Sequence, residues 1–489
     1  MMRLSESVWV LPSMVGLVLT FSPLAAIAGD FEDGMKFVLS KDYVRAVQSF
    51  RKAADEGNAD AQFNLGVLYS RGRGVPQDHE QAARWYRKAA EQGDAPAQSM
   101  LGYMYLKGQG VPQDYQQAMF WYFRAADGGY AVAQYNLGVM YAKGQGVEQD
   151  YRHALSWYLK AAEQGHAPAQ AIMGFMYLKG QEVEQDDQQA ASWYRKAAEQ
   201  GYAEAQYALG VLYAKGRGVG QSNQEAITWY RKAAEQGIAD AQFNLAMMYA
   251  AGEGVGQDYQ QAAFWYRKAA DQGYARAQFK LGVANAKGRG VPEDDYEAAA
   301  WYRKAAEQGY APAQFNLGVM YATGKGVIQD DRQAVSWYRQ AAEQGDPDAQ
   351  YNLGVRYDTG RGIEKDTQQA VAWYRKAADQ GYARAQYSLG VKYDSGQGMP
   401  HDYAQALAWY LKAAEQGHAA AQTNLGVLYY NGNGVKQDYV EADKWFSIAS
   451  AGDYEDAKEN RELMEKLMTP MQIGDARREA EEWTRAHQR

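Results

Sequence analysis

The sequence predicts an all-α solenoid built from helix–loop–helix repeats with a period of 36 residues. The main observation is a Trp–Tyr pair that returns at this interval without an insertion or a deletion. The pairs begin at Trp85, Trp121, Trp157, Trp193, Trp229, Trp265, Trp301, Trp337, Trp373 and Trp409. A fixed period of about 20–50 residues is typical of chains that stack one supersecondary unit on the next. Because no linker interrupts the period, we predict one continuous array.

Each repeat is predicted to contain two helices joined by a glycine-rich loop. In residues 58–93, the stretches ADAQFNLGVLYSRG and DHEQAARWYRKAAEQG both carry apolar residues at helical spacing. Asp78 is predicted to cap the second helix, and Gln81 completes a capping box. Gly72 and Gly74 allow the bend between the helices. The glycine that closes the phrase AAEQG is a signal for the end of the second helix.

The recurring phrase WYRKAAEQG is predicted to be structural rather than catalytic. Four of its residues are expected on the packing stripe of the second helix: Trp85, Tyr86, Ala89 and Ala90. Three charged residues are expected on its solvated side: Arg87, Lys88 and Glu91. Ion pairs at i,i+3 and i,i+4 spacing would contribute only about 0.2–0.5 kcal/mol each. The phrase repeats because every unit must present the same face to its neighbour.

Composition removes several classes of function. The chain has 489 residues, a net charge of −8 and no cysteine. Without cysteine there is no disulfide, no thiolate nucleophile and no cysteine-ligated metal. An acidic chain lacks the basic field that nucleic-acid binding requires, so no nucleic-acid partner is predicted.

Residues 1–28 are predicted to form a signal peptide. A polar start with Arg3 precedes an apolar run over about residues 8–21, and Ala-Ile-Ala ending at Ala28 is a small-x-small cleavage pattern. The run is short for a membrane-spanning helix, which needs about 20 residues. The alternative is an uncleaved anchor. We therefore predict a periplasmic or secreted protein of the bacterial envelope, with no membrane span after signal cleavage.

The stretch AQFNLGVLYSRGRGVPQDHEQAARWYRKAAEQG resembles the Sel-one-like repeat (SLR), a 36-residue relative of the tetratricopeptide repeat. The superfamily's shared packing positions correspond to Leu65, Gly66, Tyr69, Ala82, Tyr86 and Ala89. The resemblance covers eleven units in residues 58–452. Residues 29–57 resemble a shorter, tetratricopeptide-like unit, and residues 453–489 resemble closing helices that cap such arrays. The resemblance implies a right-handed superhelix that binds partners and assembles complexes.

The function expected from this resemblance is that of an exported, non-enzymatic scaffold. Its concave face would bind a protein or peptide partner in envelope or host-interaction complexes. One alternative is a penicillin-binding or β-lactam hydrolase-like enzyme, as reported for a cysteine-rich bacterial group, although this chain has no cysteine. A second alternative is a module that binds peptidoglycan or another glycan through aromatic side chains.

Searching for chemistry yields no catalytic residue, metal site or cofactor prediction. Ser49 to Lys52 matches S-x-x-K, but it occupies the place of WYRK in other repeats, and the partner motifs are absent. The six histidines are scattered and form no dense ligand cluster. The GxG loops lack the lysine and hydroxyl residue of a phosphate loop.

Three sets of residues are candidates for partner binding, on the face that the first helices present in the related superhelix. The aromatic row consists of Tyr135, Tyr207, Phe243, Phe315, Tyr351 and Tyr387. The basic ladder consists of Arg71, Lys107, Lys143, Lys179 and Lys215. The aspartate pair consists of Asp358 and Asp394. The basic ladder suggests a partner with an acidic segment; the alternative is that these charges only solvate helix ends, where lysine is mildly favourable.

One stretch departs from the repeat pattern. It has Ala246 for the usual glycine, Lys280 for a usual asparagine and Asn285 for the usual tyrosine. Losing a tyrosine at residue 285 is expected to leave a less tightly packed seam between units.

Overall fold

The computed structural model describes residues 28–451 and 455–487, and within them it contains twenty-six α-helices and no strand. The helices group into two compact units. Unit 1 extends to Ala241 and includes Glu253–Val255; unit 2 comprises Gln242–Gly252 and continues from Gly256. The predicted signal peptide lies outside the described residues except for Ala28, at which the first helix begins.

Unit 1 alternates first and second helices in the predicted order. Its first helices are α1 (Ala28–Leu39), α3 (Ala59–Arg71), α5 (Ala95–Lys107), α7 (Ala131–Lys143), α9 (Ala167–Lys179) and α11 (Ala203–Lys215). Its second helices are α2 (Tyr43–Asp55), α4 (His79–Glu91), α6 (Tyr115–Asp127), α8 (Tyr151–Glu163), α10 (Asp187–Glu199) and α12 (Asn223–Glu235). Each first helix packs on the second helix of its own repeat, and each one from α3 to α11 also packs on the second helix of the preceding repeat.

Unit 2 has the same alternation and two additional closing helices. Its first helices are α15 (Ala275–Lys287), α17 (Ala311–Thr323), α19 (Pro347–Thr359), α21 (Ala383–Ser395) and α23 (Ala419–Asn431). Its second helices are α14 (Tyr259–Asp271), α16 (Asp295–Glu307), α18 (Asp331–Glu343), α20 (Thr367–Asp379), α22 (Tyr403–Glu415) and α24 (Tyr439–Ser450). The helix α13 (Ala239–Ala251) lies mostly in this unit, and α25 (Glu455–Leu467) and α26 (Pro470–His487) pack on α24.

Glycine in the first helix allows the close packing of the two helices of a repeat. A Cβ atom on Gly66 would lie 2.8 Å from the ring of Tyr86, which is fully buried in the second helix. The same contact recurs along the chain with a glycine and an aromatic ring. Ala246 is the exception in this position, and its side chain is accommodated in the core at 0% exposure.

The predicted N-cap is confirmed, but the predicted capping box is only half formed. Asp78 Oδ1 accepts a hydrogen bond from the backbone N–H of Gln81 at 2.9 Å. The N–H of Asp78 itself donates to the carbonyl of Tyr69, at the end of the first helix, at 3.0 Å. That donor therefore has a backbone partner, so the Gln81 side chain is not needed for it.

Buried glutamines join consecutive repeats. Gln62 is 4% exposed, and its Nε2 donates to the carbonyl of Ala54 in the preceding second helix at 3.0 Å. Its Oε1 accepts from Nε2 of Gln92 at 2.7 Å. The equivalent buried residues are Gln98, Gln134, Gln170, Gln206, Gln242, Gln278, Gln314, Gln350, Gln386 and Gln422. We call this set, with Gln62, the glutamine ladder; its side chains give carbonyl groups in the last turns of the second helices a second donor, as at Ala54, which also accepts from the N–H of Gly57 at 3.1 Å.

Arg87 and Lys88 remain exposed, as predicted, but their partners are aromatic. The guanidinium of Arg87 donates to the hydroxyl of Tyr105 in the next repeat. The ammonium of Lys88 lies 4.0 Å from the ring centroid of Trp85. Trp85 lies one turn away from Lys88, and Tyr105 lies one repeat away from Arg87. These aromatic contacts therefore take the place of the predicted ion pairs to neighbouring acidic residues.

The second loop glycine is required by a contact between backbones of adjacent repeats. Gly74 has φ +74°, and a Cβ atom there would lie 2.2 Å from the carbonyl oxygen of Tyr43. At the equivalent position Glu182 adopts φ 57° and forms an ion pair with Arg152 at 3.5 Å. A left-handed conformation costs about 1–2 kcal/mol for a residue with a side chain, so Glu182 is a strained position.

Asn285 also changes the contacts around it. It is 4% exposed, and its Nδ2 donates to the carbonyl of Leu281 at 3.1 Å within its own helix. Arg267, whose equivalents bond a tyrosine hydroxyl eighteen residues on, instead lies 5.5 Å from the ring centroid of Trp301. The seam therefore has a cation–π contact in place of the hydrogen bond to tyrosine.

Candidate functional site

The candidate residues lie along one side of the first helices in each unit. Val67 lies one turn after Phe63 and one turn before Arg71, so these three residues follow one side of α3. The same three positions recur at each first helix. We call this side the open face, and it carries the aromatic row, the basic ladder and, in unit 2, the aspartate pair.

The basic ladder occupies the last residue of each first helix in unit 1 from α3 to α11. Arg71, Lys107, Lys179 and Lys215 are exposed, and Lys143 is half-buried. A glycine in the left-handed conformation follows each of them, as Gly72 does at φ 63°. The ladder thus combines a favourable location beside the negative end of a helix with access to solvent. The geometry is compatible both with partner binding and with solvation of helix ends.

The aromatic row lies deeper than the basic ladder. Tyr135 and Phe243 are only 2% exposed, while the other four rings of the row are half-buried. Each ring packs against the core tyrosine of its repeat, as Tyr135 does with Tyr158 at 5.8 Å between centroids. Some rings have a second aromatic neighbour, such as His166 at 4.9 Å from Tyr135. The row therefore contributes to helix packing, and any role in binding stays a prediction.

Two histidines extend the aromatic row as helix caps. Nδ1 of His166 accepts from the N–H of Ala169 at 3.3 Å, and Nδ1 of His418 accepts from the N–H of Ala421 at 3.2 Å. Burial lowers the pKa of His166 to about 4 and also lowers the pKa of His418. Both rings are consequently neutral acceptors at pH 7, since a protonated ring could not accept the cap hydrogen bond.

An apolar row runs between the other two rows on the open face. In unit 1 its half-buried members are Tyr103, Phe175 and Val211, while Val67 and Val139 are buried. In unit 2 Met247 is 38% exposed, and the half-buried members are Val283, Val319, Val355, Val391 and Val427. The sequence analysis did not single out this position as a candidate. The signal was present in its constant apolar character together with its helical offset from the basic ladder.

The aspartate pair belongs to a network of charged groups in unit 2. Asp358 accepts from the ammonium of Lys392 at 2.7 Å, and the lysine side chain is only 7% exposed. Asp394 accepts instead from the hydroxyl of Tyr410 at 3.1 Å. Burial raises the pKa of the Tyr410 hydroxyl. The hydrogen bond with Asn424 lowers this pKa, and the negative charge of Asp394 raises it. Asp358 also contacts the hydroxyl of Tyr374, so both aspartates have a tyrosine partner and only Asp358 has the lysine.

A cavity of about 590 Å³ lies between α24 and the closing helices, at a place that sequence reasoning missed. Its lining includes Ser447, Arg461, Arg477 and Arg485. Asp443, on the same helix α24 as Ser447, is fully buried, and neither carboxylate oxygen has a hydrogen-bond partner in the described part of the chain. Burial raises the pKa of Asp443 to about 6. The available signal was an aspartate at a position that is apolar in the preceding repeats.

Two of the three guanidinium groups of this cavity, those of Arg461 and Arg477, already have an acidic neighbour. Glu465 lies 2.7 Å from Arg477 and 3.4 Å from Arg461. The cavity is therefore largely charge-compensated by its own side chains.

Residues expected for the alternative chemistries are not arranged as a catalytic site. Ser49 is buried, whereas Lys52 is exposed and lies 3.6 Å from Asp30. Across residues 28–451 and 455–487, no three His, Asp or Glu side chains lie close enough to hold a metal ion. No helix in those same ranges combines the length and apolar character needed to cross a bilayer.

Comparison with known proteins identifies the repeat. A family model of the Sel1 repeat matches residues 31–58, 59–94, 95–130, 131–166, 167–202, 203–238, 239–274, 275–310, 311–346, 347–382, 383–418 and 419–454. The first of these segments covers most of the unit predicted to resemble a tetratricopeptide repeat. No curated protein sequence matches the chain.

Two crystal structures support the same assignment. One is c5321, a protective antigen present in uropathogenic Escherichia coli strains that displays an SLR fold. It is 42% identical, with a TM-score of 0.85, over 90% of this chain and 95% of that chain. The Sel1 repeat protein from Oxalobacter formigenes is 35% identical, with a TM-score of 0.52, over 68% and 93% of the two chains. The predicted family and all-α fold class are confirmed: the chain belongs to the Sel1 repeat family and has its α-solenoid fold.

Proposed function

We propose that this protein is an exported, non-catalytic scaffold that binds a protein or peptide partner along the open face of its first helices. The observation that carries the proposal is the apolar row beside the exposed basic ladder in unit 1. Tyr103 and Phe175 keep part of their surface accessible, and Lys107 and Lys179 follow them by one turn. A surface that repeats the same apolar and cationic groups suits an extended partner that contacts several repeats.

The two rows would contribute differently to binding. Burial of the remaining apolar surface stabilises a complex by about 25 cal/mol per Å². Each exposed ion pair with the ladder contributes about 0.2–1 kcal/mol, so the ladder acts cumulatively and depends on salt. The partner segment is therefore expected to alternate acidic and apolar residues.

The location that fits this proposal is the periplasm or the outside of the cell. Residues 1–28 have the pattern of a cleaved signal peptide, and the E. coli relative is described as a protective antigen. A bacterial envelope or host-interaction complex is consistent with both observations. Mass spectrometry of the mature N-terminus tests this part: we expect a chain that begins at Gly29, and a cytosolic chain that still begins at Met1 would contradict export.

Partner binding is tested by removing three charges of the basic ladder together. The variant replaces Lys107, Lys143 and Lys179 by glutamine. Affinity capture from periplasmic and membrane extracts, quantified at several salt concentrations, is expected to show weaker retention of the wild-type partner. The melting temperature is expected to change little, because exposed charges contribute little to folding.

The matched control replaces three neutral residues at the equivalent positions of unit 2. These are Thr323, Thr359 and Ser395, each changed to alanine. We expect this control to retain the partner. If the glutamine variant retained the same partner with the same salt tolerance, the ladder would serve only to solvate helix ends.

A further inference from the structure

Two consecutive repeats of unit 2 carry a cation at a core position. Arg356 and Lys392 stand where the other repeats have leucine, methionine or alanine. Their side chains are only 12% and 7% exposed. Two residues further along each helix stand the members of the aspartate pair, Asp358 and Asp394. Buried charges are costly unless they are paired, so the partners of each charge carry information.

The pairing follows a register across repeats. The ammonium of Lys392 reaches back 34 residues to Asp358 of the preceding repeat, at 2.7 Å. Arg356 would reach residue 322 in the same register, but that residue is Ala322. Its guanidinium instead pairs with Asp331 at 2.5 Å. Both buried cations therefore have an acidic partner within the chain.

At the other end of this register one acceptor lacks its cation. The residue 34 positions after Asp394 is Leu428, which is apolar and 2% exposed. In the described part of the chain, no lysine, arginine or histidine nitrogen lies within ion-pair distance of Asp394. One of its oxygens accepts from the Tyr410 hydroxyl at 3.1 Å, which in turn accepts from Nδ2 of Asn424 at 3.1 Å.

The surroundings of Asp394 favour a cation over water. The carboxylate is half-buried on the open face, and the Tyr410 ring beside it is fully buried. Tyr387 packs on that ring, with 5.9 Å between the centroids. Charges attract more strongly beside such apolar material than in bulk water. Aromatic neighbours add a favourable interaction with an ammonium or guanidinium.

We propose that Asp394 receives a lysine or arginine side chain of the bound protein or peptide, which supplies the charge that Lys392 supplies to Asp358. This inference rests on the proposed function, since it places the partner on the open face. The basic ladder predicts acidic residues in the partner. Asp394 adds a second expectation: the partner segment that reaches unit 2 carries a positive charge. Asp358 is not available for the same role, because Lys392 already occupies it.

The test uses immobilised nine-residue peptides with random flanks and a central lysine. A twin library has a central N-ε-acetyl-lysine, which has the same flanks but no charge. Purified full-length protein is passed over both at physiological salt. We expect the lysine library to retain about ten times more protein, the effect typical of one close, partly desolvated charge pair.

Two variants and one control assign this preference to Asp394. Asp394→Asn removes the acceptor, and Leu428→Lys introduces the missing cation from within the chain. The measured quantity is the ratio of protein retained by the lysine library to protein retained by the acetyl-lysine library. Both variants are expected to lower this ratio to about the value of a non-specific contact. Glu415→Gln removes the same single charge from an exposed position of α22 and is expected to preserve the ratio. Circular dichroism checks that the variants fold. If the lysine introduced by Leu428→Lys prevents folding, Asp394→Asn alone is sufficient for the test.

The outcomes separate this inference from the function on which it rests. A lysine preference that persists in Asp394→Asn overturns the inference. Equal retention by both libraries also overturns it but leaves peptide binding by the open face intact. If neither library retains the wild-type protein, while the basic ladder also proves dispensable for capture, the proposed function fails together with the inference.

Discussion

Removing one residue of the glutamine ladder should destabilise the array by an amount that depends on its neighbours. Gln206 is 4% exposed, donates to the Ala198 carbonyl at 3.1 Å and accepts from Gln236 at 2.8 Å. Gln206→Ala removes one donor from the Ala198 carbonyl, which keeps the backbone N–H of Gly201 at 3.0 Å, so this loss costs about 0.5–1.5 kcal/mol. Loss of the second hydrogen bond adds about 0.5–1.5 kcal/mol. The expected decrease in the free energy of unfolding is therefore about 1–3 kcal/mol.

The chain contains its own control for the second hydrogen bond. Gln98 donates to the Ala90 carbonyl at 3.0 Å and is equally buried. Thirty residues on, where a glutamine donor would stand, the residue is Gly128. Gln98→Ala should therefore cost about 0.5–1.5 kcal/mol less than Gln206→Ala. Urea unfolding followed by circular dichroism measures both, and equal losses in the two variants would refute the role assigned to the glutamine pair.

Three further perturbations test individual contacts by thermal or urea unfolding. Glu182→Gly should raise stability by about 0.5–1 kcal/mol, because glycine adopts φ 57° without strain; a loss would show that the Arg152 contact dominates. Gly210→Ala should lower stability by about 1–2 kcal/mol, since the new Cβ would lie 2.7 Å from the Tyr230 ring; an unchanged midpoint would mean that the ring moves freely. His166 has a folded pKa of about 4, below its unfolded value of about 6.5. The unfolded state then binds more protons between these values, so stability is complete above pH 6.5 and should fall by about 1–3 kcal/mol towards pH 4. His166→Asn should remove this part of the pH dependence while keeping the cap.

The helix order could be predicted because one signal repeats with a constant period. Even a weak local pattern, such as the N-cap at Asp78, becomes strong when it returns in every repeat. The glutamine ladder escaped prediction for the opposite reason. A glutamine near a helix end is ordinary on a surface, and its burial depends on the preceding repeat, which local periodicity does not describe.

The candidate site was predictable in position but not in chemistry. Helical spacing places Lys107 and Tyr135 on first helices, as the structure shows, but spacing alone does not reveal that Tyr135 is buried between a tyrosine and a histidine. Asp358 and Asp394 look alike in sequence. Their difference arises from whether the residue 34 positions later is Lys392 or Leu428, which requires knowledge of the contact between repeats.

The hydrogen bonds that join neighbouring repeats also limit how the chain can fold. They connect residues 8 to 35 positions apart, as in the Gln62–Ala54 and Gln236–Gly201 contacts. Loop-closure entropy depends on this separation rather than on the total length. Each repeat can therefore complete its bonds as soon as the next repeat has left the ribosome. A 489-residue chain of this kind has the low contact order of a much smaller protein, and adding a repeat lengthens it without raising that entropic barrier.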